Sequence, residues 1–365
     1  MWFQLTSIAF FVLLTLTTAA ENALEEETVQ ERRLRANAKM WWIFGSSGNS
    51  KCKSKLRPCL FIHGENHENE EKELQDSSDK FGDMSKNAPC CSSIKYASLD
   101  TLNVGWTDHK LQKKVCGHAL SMSEDSDEKQ KIIKNTILVT HSMGALILAG
   151  AIANKHCSID SSTSWVSMSA PMKGSMVSNY VQDVCTDDDT QVFLQILTLV
   201  GQCPVQAGME SLAYMDGKYS TKELNKAYVA AKKVYTAQVS AAMCSNGNIG
   251  IFSTYQAKYL LLGAKVDHGS GENDGFTTYK SCRGGIDKAK FGDDPSDRFY
   301  VTHCNHADTA FLNGDSHFKD SMKPRKLSIH NLDDESKMRH EDRSHTAAMV
   351  PTSAASQPED QAPQT

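Results

Sequence analysis

The stretch Asn135-Thr-Ile-Leu-Val-Thr-His-Ser-Met-Gly-Ala-Leu-Ile-Leu148 decides how the rest of the chain is read. Thr136 to Thr140 is a short β-branched, apolar run, the pattern of a strand buried on both faces. Leu146, Ile147, Ala149, Gly150, Ile152 and Ala153 then recur at helical spacing. Strand and helix meet at Ser142, and the small residues Gly144 and Ala145 follow it. A sharp turn there would lift the serine hydroxyl clear of the sheet.

Upstream of this unit, Cys59-Leu-Phe-Ile-His-Gly64 is an apolar strand ending in His-Gly, and Ile94 to Val104 reads as a further strand with its exit loop. His118 to Ile133 is polar, acidic over Glu124 to Glu128, and expected to be helical towards its end. Downstream, Trp165 to Ser175 is a strand running into a Ser-Ala-Pro-Met-Lys-Gly-Ser loop. Between residues 179 and 253 the spacing predicts a helical insertion. It holds the apolar segment Gln191 to Val200 and the helical pattern Leu224, Tyr228, Ala231, Tyr235, Val239 and Ala242. Cys157, Cys185, Cys203 and Cys244 lie where they could pin its ends. Tyr259 to Ala264 reads as another apolar strand, followed by a Gly/Asp-rich loop ending Glu272-Asn-Asp-Gly-Phe-Thr-Thr278. Alternating strands and helices of this kind predict an α/β layered fold with a mostly parallel sheet.

Composition bounds the partners. The formal net charge of −5 argues against nucleic acid, and 40% hydrophobic residues over 365 support a sizeable core. Eleven cysteines without paired C-x-x-C spacing read as disulfides in an oxidising compartment, with at least one left over. Residues 1–20 carry a short apolar core, Ile8 to Leu16, before small residues, the pattern of a secretory signal peptide. No later segment is apolar for long enough to span a bilayer, so a secreted, soluble protein is expected. Residues 21–50 read as a flexible leader, residues 51–318 as the folded α/β domain, and residues 319–365, polar and Ser/Pro/Gln-rich, as a disordered tail.

Two resemblances are carried by these motifs. Thr140-His141-Ser142-Met143-Gly144 is similar to the G-x-S-x-G nucleophile elbow of lipase-like α/β-hydrolases, with Thr140 departing from it. The same family carries an Asn-Asp-Gly followed by an apolar residue, matching Asn273 to Phe276, and an N-H-x-D, matching Asn305, His306 and Asp308. The resemblance implies an α/β-hydrolase fold with a cap. It further implies an ester hydrolase using Ser142 as nucleophile, His306 as base and Asp274 as the orienting acid, in the family's order. Asp267 and His303 are the rivals for the last two roles. The His-Gly strand end implies an oxyanion hole made by the backbone N–H groups of Glu65 and Met143. No cofactor and no metal ion are expected: the strand before Gly64 argues against a helical His63/His67 pair, and Asp308 alone matches a calcium ligand of some relatives.

The second resemblance lies in the leader. Arg32, Leu34 and Arg35 are placed as in the RxLR motif of oomycete effectors, secreted proteins that enter plant cells. It implies delivery to a host cell and a host target; a dibasic processing site and a solvated basic patch are the competing readings. The acyl ester or lipid substrate belongs to the first resemblance. A virulence effector that uses a hydrolase-like scaffold only for binding is the alternative.

Overall fold

Six strands of the computed structural model lie in one sheet, in the order β2-β1-β4-β6-β7-β8. They are β1 (Arg57–Ile62), β2 (Cys91–Ala97), β4 (Ile137–His141), β6 (Ser164–Met168), β7 (Ala241–Ser245) and β8 (Phe299–Thr302). Every neighbouring pair is parallel. Two two-residue strands, β3 (Ile132–Ile133) and β5 (Ser158–Ile159), pair separately. The structure describes residues 52, 55–85, 87–186, 203–316 and 319–324. The proposed signal peptide, the leader with Arg32, Leu34 and Arg35, and the segment Gln191 to Val200 lie outside the described residues.

Parallel neighbours need crossovers, and helices supply them. Among the described residues, the helices of three turns or more are α1 (His109–Leu120), α2 (Met143–Ala153), α3 (Met176–Thr186), α5 (Lys222–Gln238) and α6 (Thr254–Lys265); α4 (Ala207–Glu210) and α7 (Tyr279–Cys282) are single turns. Helix α2 is apolar nearly all round because it is covered nearly all round: α1 and α5 pack on it. Strand alternation divides the core in two. Leu60, Ile62, Leu138 and Trp165 join the cluster beneath the helices. Cys59, Phe61, Ile137, Val139 and Val166 join a second one with Phe81, Met84 and Phe311. This mostly parallel central sheet flanked by helices, with the serine between β4 and α2, is the α/β-hydrolase fold that the motifs imply.

Three expectations are corrected. Tyr259 to Ala264 is helix rather than strand: it is the second half of α6, and only Tyr259 and Leu262, three apart, are buried there. The expected insertion over 179–253 does not end at 253, because Ala241–Ser245 is a fully buried core strand. Helix α5, inside the same range, is the crossover that packs against α2. The polar stretch before β4 is helical not at its end but before it, in α1, which closes at Leu120.

The cysteines follow suit. Five disulfides form among the described residues: Cys52–Cys90, Cys59–Cys91, Cys116–Cys157, Cys185–Cys203 and Cys244–Cys282. Of the four expected to pin the insertion, only Cys185 and Cys203 pair with each other. The residue left over from the odd count is the buried Cys304. The tail expected from 319 onward begins with an ordered turn: Ser321 accepts hydrogen bonds from the His303 N–H and the Thr302 hydroxyl of β8, and Met322 is buried.

Candidate active site

In a parallel sheet every strand delivers its C-terminal end to one edge, and ligands bind where the strand order reverses. Here that point lies between β1 and β4, whose ends carry Gly64 and Ser142. Ser142 sits in a strained conformation, φ 53° and ψ −127°, between the last residue of β4 and the first of α2. Its N–H is tied to the Met168 carbonyl at 2.9 Å. Crowding explains the small residues around it. A Cβ on Gly64 would come within 2.7 Å of Ser142 Cβ, and one on Gly144 within 2.6 Å of the Ile62 and His63 carbonyl oxygens.

The His306 imidazole lies between the other two predicted residues. Its Nε2 is 2.9 Å from Ser142 Oγ and its Nδ1 is 2.8 Å from Asp274 Oδ2. All three are buried, at 3%, 5% and 1% exposure for Ser142, His306 and Asp274. Burial by itself would raise the Asp274 carboxyl, but the facing His306 and the N–H groups of Thr277 and Phe276 hold it below the ordinary carboxylate value. Those two N–H groups reach Asp274 Oδ1 at 2.6 and 2.9 Å. The turn that presents them needs Gly275, at φ 88°, with Tyr259 backbone where a side chain would go. Both rivals are elsewhere. Asp267 is exposed and caps Gly269, and His303 is exposed beside the tail.

The N-H-x-D match proves to be a staple. Asp308 accepts from the N–H groups of Ile251 and Asn305 and from the Asn313 amide, at 2.8, 3.2 and 2.6 Å. Desolvation raises its carboxyl, and these donors pull the other way. It thereby fixes the loop that carries His306. His141, which no sequence argument singled out, lies against His306 with ring centroids 4.8 Å apart. Its Nε2 reaches the His306 carbonyl at 3.0 Å, and burial lowers its pKa to about 3, so it stays neutral.

At the end of β1 the Leu99 N–H donates to His63 Nε2 at 3.1 Å, which leaves Nδ1 to donate to the Gly64 carbonyl at 2.8 Å. Burial lowers the His63 pKa to about 4 and keeps this neutral tautomer. The Thr101 hydroxyl donates to the same carbonyl at 2.8 Å. A trans peptide carries its N–H opposite its C=O, so these two bonds fix the direction of the Glu65 N–H. Met143 opens α2, where the first N–H groups have no partner within the helix. His67, four residues after His63, bonds to Ser98 Oγ at 3.0 Å; among the described residues no cluster of three metal-ligating side chains occurs.

A cavity of about 280 Å³ opens on Ser142 and His306. It is lined by Gly64, Glu65, Lys80, Met209, Tyr255, Lys258, Tyr259 and Phe276. The cover over the serine therefore comes from α4 and α6, and α6 begins beyond the expected insertion. Tyr259 and Phe276 also flank the His306 ring, with centroids 5.8 and 4.8 Å away. Among the described residues no helix is long and apolar enough to cross a membrane.

No protein-family model and no curated protein matches the chain. Several solved structures do. The chain is similar to a mature lipase of Bacillus licheniformis, at 14% identity and TM-score 0.44, over 73% of this chain and 91% of that one. It is similar to a lipase of Staphylococcus hyicus at 14% identity and TM-score 0.41, over 82% and 100% of the two chains. A metagenomic carboxyl esterase matches at 14% identity and TM-score 0.40, over 79% and 77%. These structural neighbours are lipases and esterases; at scores of this size the fold rests on the chain's own strand order and elbow.

Proposed function

We propose that the protein is a serine hydrolase that cleaves carboxylic esters, lipid esters among them, through an acyl-enzyme. The observation that carries this reading is the unbroken relay from Ser142 Oγ through His306 to the Asp274 carboxylate, at hydrogen-bond distances, at the mouth of a cavity. A serine hydroxyl becomes a competent nucleophile when an imidazole takes its proton, and a carboxylate holds that imidazole in the productive tautomer. Ser142 Oγ attacks the ester carbonyl while His306 takes its proton. The negative charge on the carbonyl oxygen falls to the N–H groups of Glu65 and Met143. The ester C–O bond then breaks, and His306 returns the proton to the departing alcohol. Water, activated by His306 in turn, releases the acid and restores the serine.

Secretion belongs to the same proposal. Five disulfides are at home in an oxidising compartment, and the apolar N-terminal stretch reads as a secretory signal. Delivery into a host cell rests on Arg32, Leu34 and Arg35 alone. N-terminal sequencing of secreted protein tests it, since a mature chain beginning after Arg35 points to processing instead.

The deciding experiment is fluorophosphonate labelling of the disulfide-intact protein beside Ser142→Ala, with turnover of p-nitrophenyl acyl esters of graded length. Labelling and turnover are expected in the first protein and absent in the second. A folded protein that neither labels nor turns over ester overturns the reading and leaves a hydrolase-like scaffold used for binding.

A further inference from the structure

The cavity in front of Ser142 has a charged wall that acyl transfer does not use. Lys258, on α6, lines it half-buried, and among the described residues its ammonium has no hydrogen bond or ion pair. It stands 5.7 Å from the centroid of the Tyr259 ring. Lys80 lines the cavity too, with its ammonium 3.6 Å from the Asp79 carboxylate. Two acids face these lysines. Asp79 is largely exposed, so water screens much of its charge. Glu65 lies in the wall, where desolvation pushes its carboxyl up to about 7 against the pull of Lys258 and Lys80. The wall therefore sets two lysines against one largely exposed acid and one whose carboxyl desolvation raises. Desolvation also lowers the pKa of Lys258. Only Glu65, its own carboxyl raised by burial, opposes that effect; a half-buried ammonium that makes no hydrogen bond is costly, and a bound anion relieves that cost.

We propose that the preferred substrate is an ester with an anionic group, carboxylate or phosphate, close to the scissile bond, held by Lys258 with Lys80 while Ser142 meets the ester carbonyl. This deepens the serine-hydrolase reading and rests on it. The anionic group is bound and not consumed: the bonds made and broken are those of the ester. At about 280 Å³ the cavity stands at the small end of ligand sites, so short substrates are the ones to try first.

The test compares kcat/KM, by pH-stat, for the monomethyl half-esters of succinate, glutarate and adipate with methyl butanoate, pentanoate and hexanoate. Each pair differs chiefly in a terminal carboxylate. Vesicles of phosphatidylglycerol and of phosphatidylcholine form a second arm. A preference of about tenfold or more for the anionic partner is expected, the scale of one charge-assisted hydrogen bond. Lys258→Met should cut that ratio to near one, and Lys80→Met should lower it less. Preference among half-esters identifies a soluble acid; preference confined to vesicles identifies a lipid headgroup. Equal rates in both arms, or a preference that survives Lys258→Met in a variant with unchanged Tm, overturn the proposal. Calorimetric titration of adipate into Ser142→Ala protein separates the two readings. Binding that Lys258→Met abolishes supports the anion site even where turnover fails, and absence of binding counts against it even where neutral esters are cleaved.

Discussion

Thr140 departs from the glycine of the usual elbow pattern, and its hydroxyl explains why the departure is tolerated. Thr140 Oγ1 accepts the Trp165 indole N–H at 2.8 Å in the middle of the sheet, where neither residue meets water. Thr140→Val keeps the shape and strands that donor. It should destabilise the protein by about 1–3 kcal/mol, read from urea unfolding, with Trp165 fluorescence as a local reporter. Asp274→Asn keeps the shape too but permits the wrong His306 tautomer. Under the proposed mechanism it should lower kcat by roughly three to four orders of magnitude with little change in Tm, which steady-state kinetics and a melting curve would show together. Ser142, Asp274 and His306 were legible because each stands inside a short motif whose neighbours have steric duties: Gly144 against β1, Gly275 against Tyr259, Asn305 and Asp308 in the loop staple. Lys80, Lys258 and His141 were not. A lone lysine in sequence reads as a solvated side chain, and only the folded chain brings two of them to one wall.

At the scale of elements, strands with β-branched or aromatic residues were visible and others were not. β1, β4 and β6 announced themselves, whereas β7 reads Ala-Ala-Met-Cys-Ser, residues that favour a helix about as much as a strand. The helical pattern of α5 therefore ran on through it. Helix α6 failed in the opposite sense, since Tyr-Leu-Leu-Leu from 259 to 262 is too short an apolar run for periodicity to decide. Both misses have one origin: packing partners far along the chain, not local preference, settle ambiguous runs. The contact between β1 and the elbow is the element-scale feature most open to test. Gly64→Ala places a methyl 2.7 Å from Ser142 Cβ, between two backbones that have no slack. Under the proposed mechanism it should lower kcat/KM by about a hundredfold or more through the displaced Glu65 N–H, and cost about 1–3 kcal/mol of stability as overpacking. A variant as active as the parent would overturn the oxyanion-hole role proposed for Glu65.

For the whole molecule the buried histidines set the response to acid. His63 and His141 have native pKa values of about 4 and 3, against about 6.5 when unfolded. Between pH 6.5 and 4 the unfolded chain takes up protons that the native one refuses, so stability falls as pH falls, by at most about 1.4 kcal/mol per pH unit for each histidine. Glu65 acts with the opposite sign. Its native pKa is raised to about 7, so it keeps a proton that the unfolded chain releases and favours the fold as pH drops towards its ordinary value. Urea midpoints at pH 7, 5.5 and 4.5 should therefore decline, less steeply in His141→Gln and more steeply in Glu65→Gln; a flat profile in the parent protein would contradict both neutral histidines.

The order of the strands also has a consequence in time. The chain is made from its N-terminus, so β4, Ser142 and α2 leave the ribosome more than a hundred residues before Asp274 and His306. His306 follows β8, which docks at the far edge of the sheet and is the last strand of the sheet to be synthesised. A half-made chain thus carries the serine without its base. Under the proposed mechanism the protein stays inert throughout synthesis, and its chemistry begins when the final strand closes the sheet.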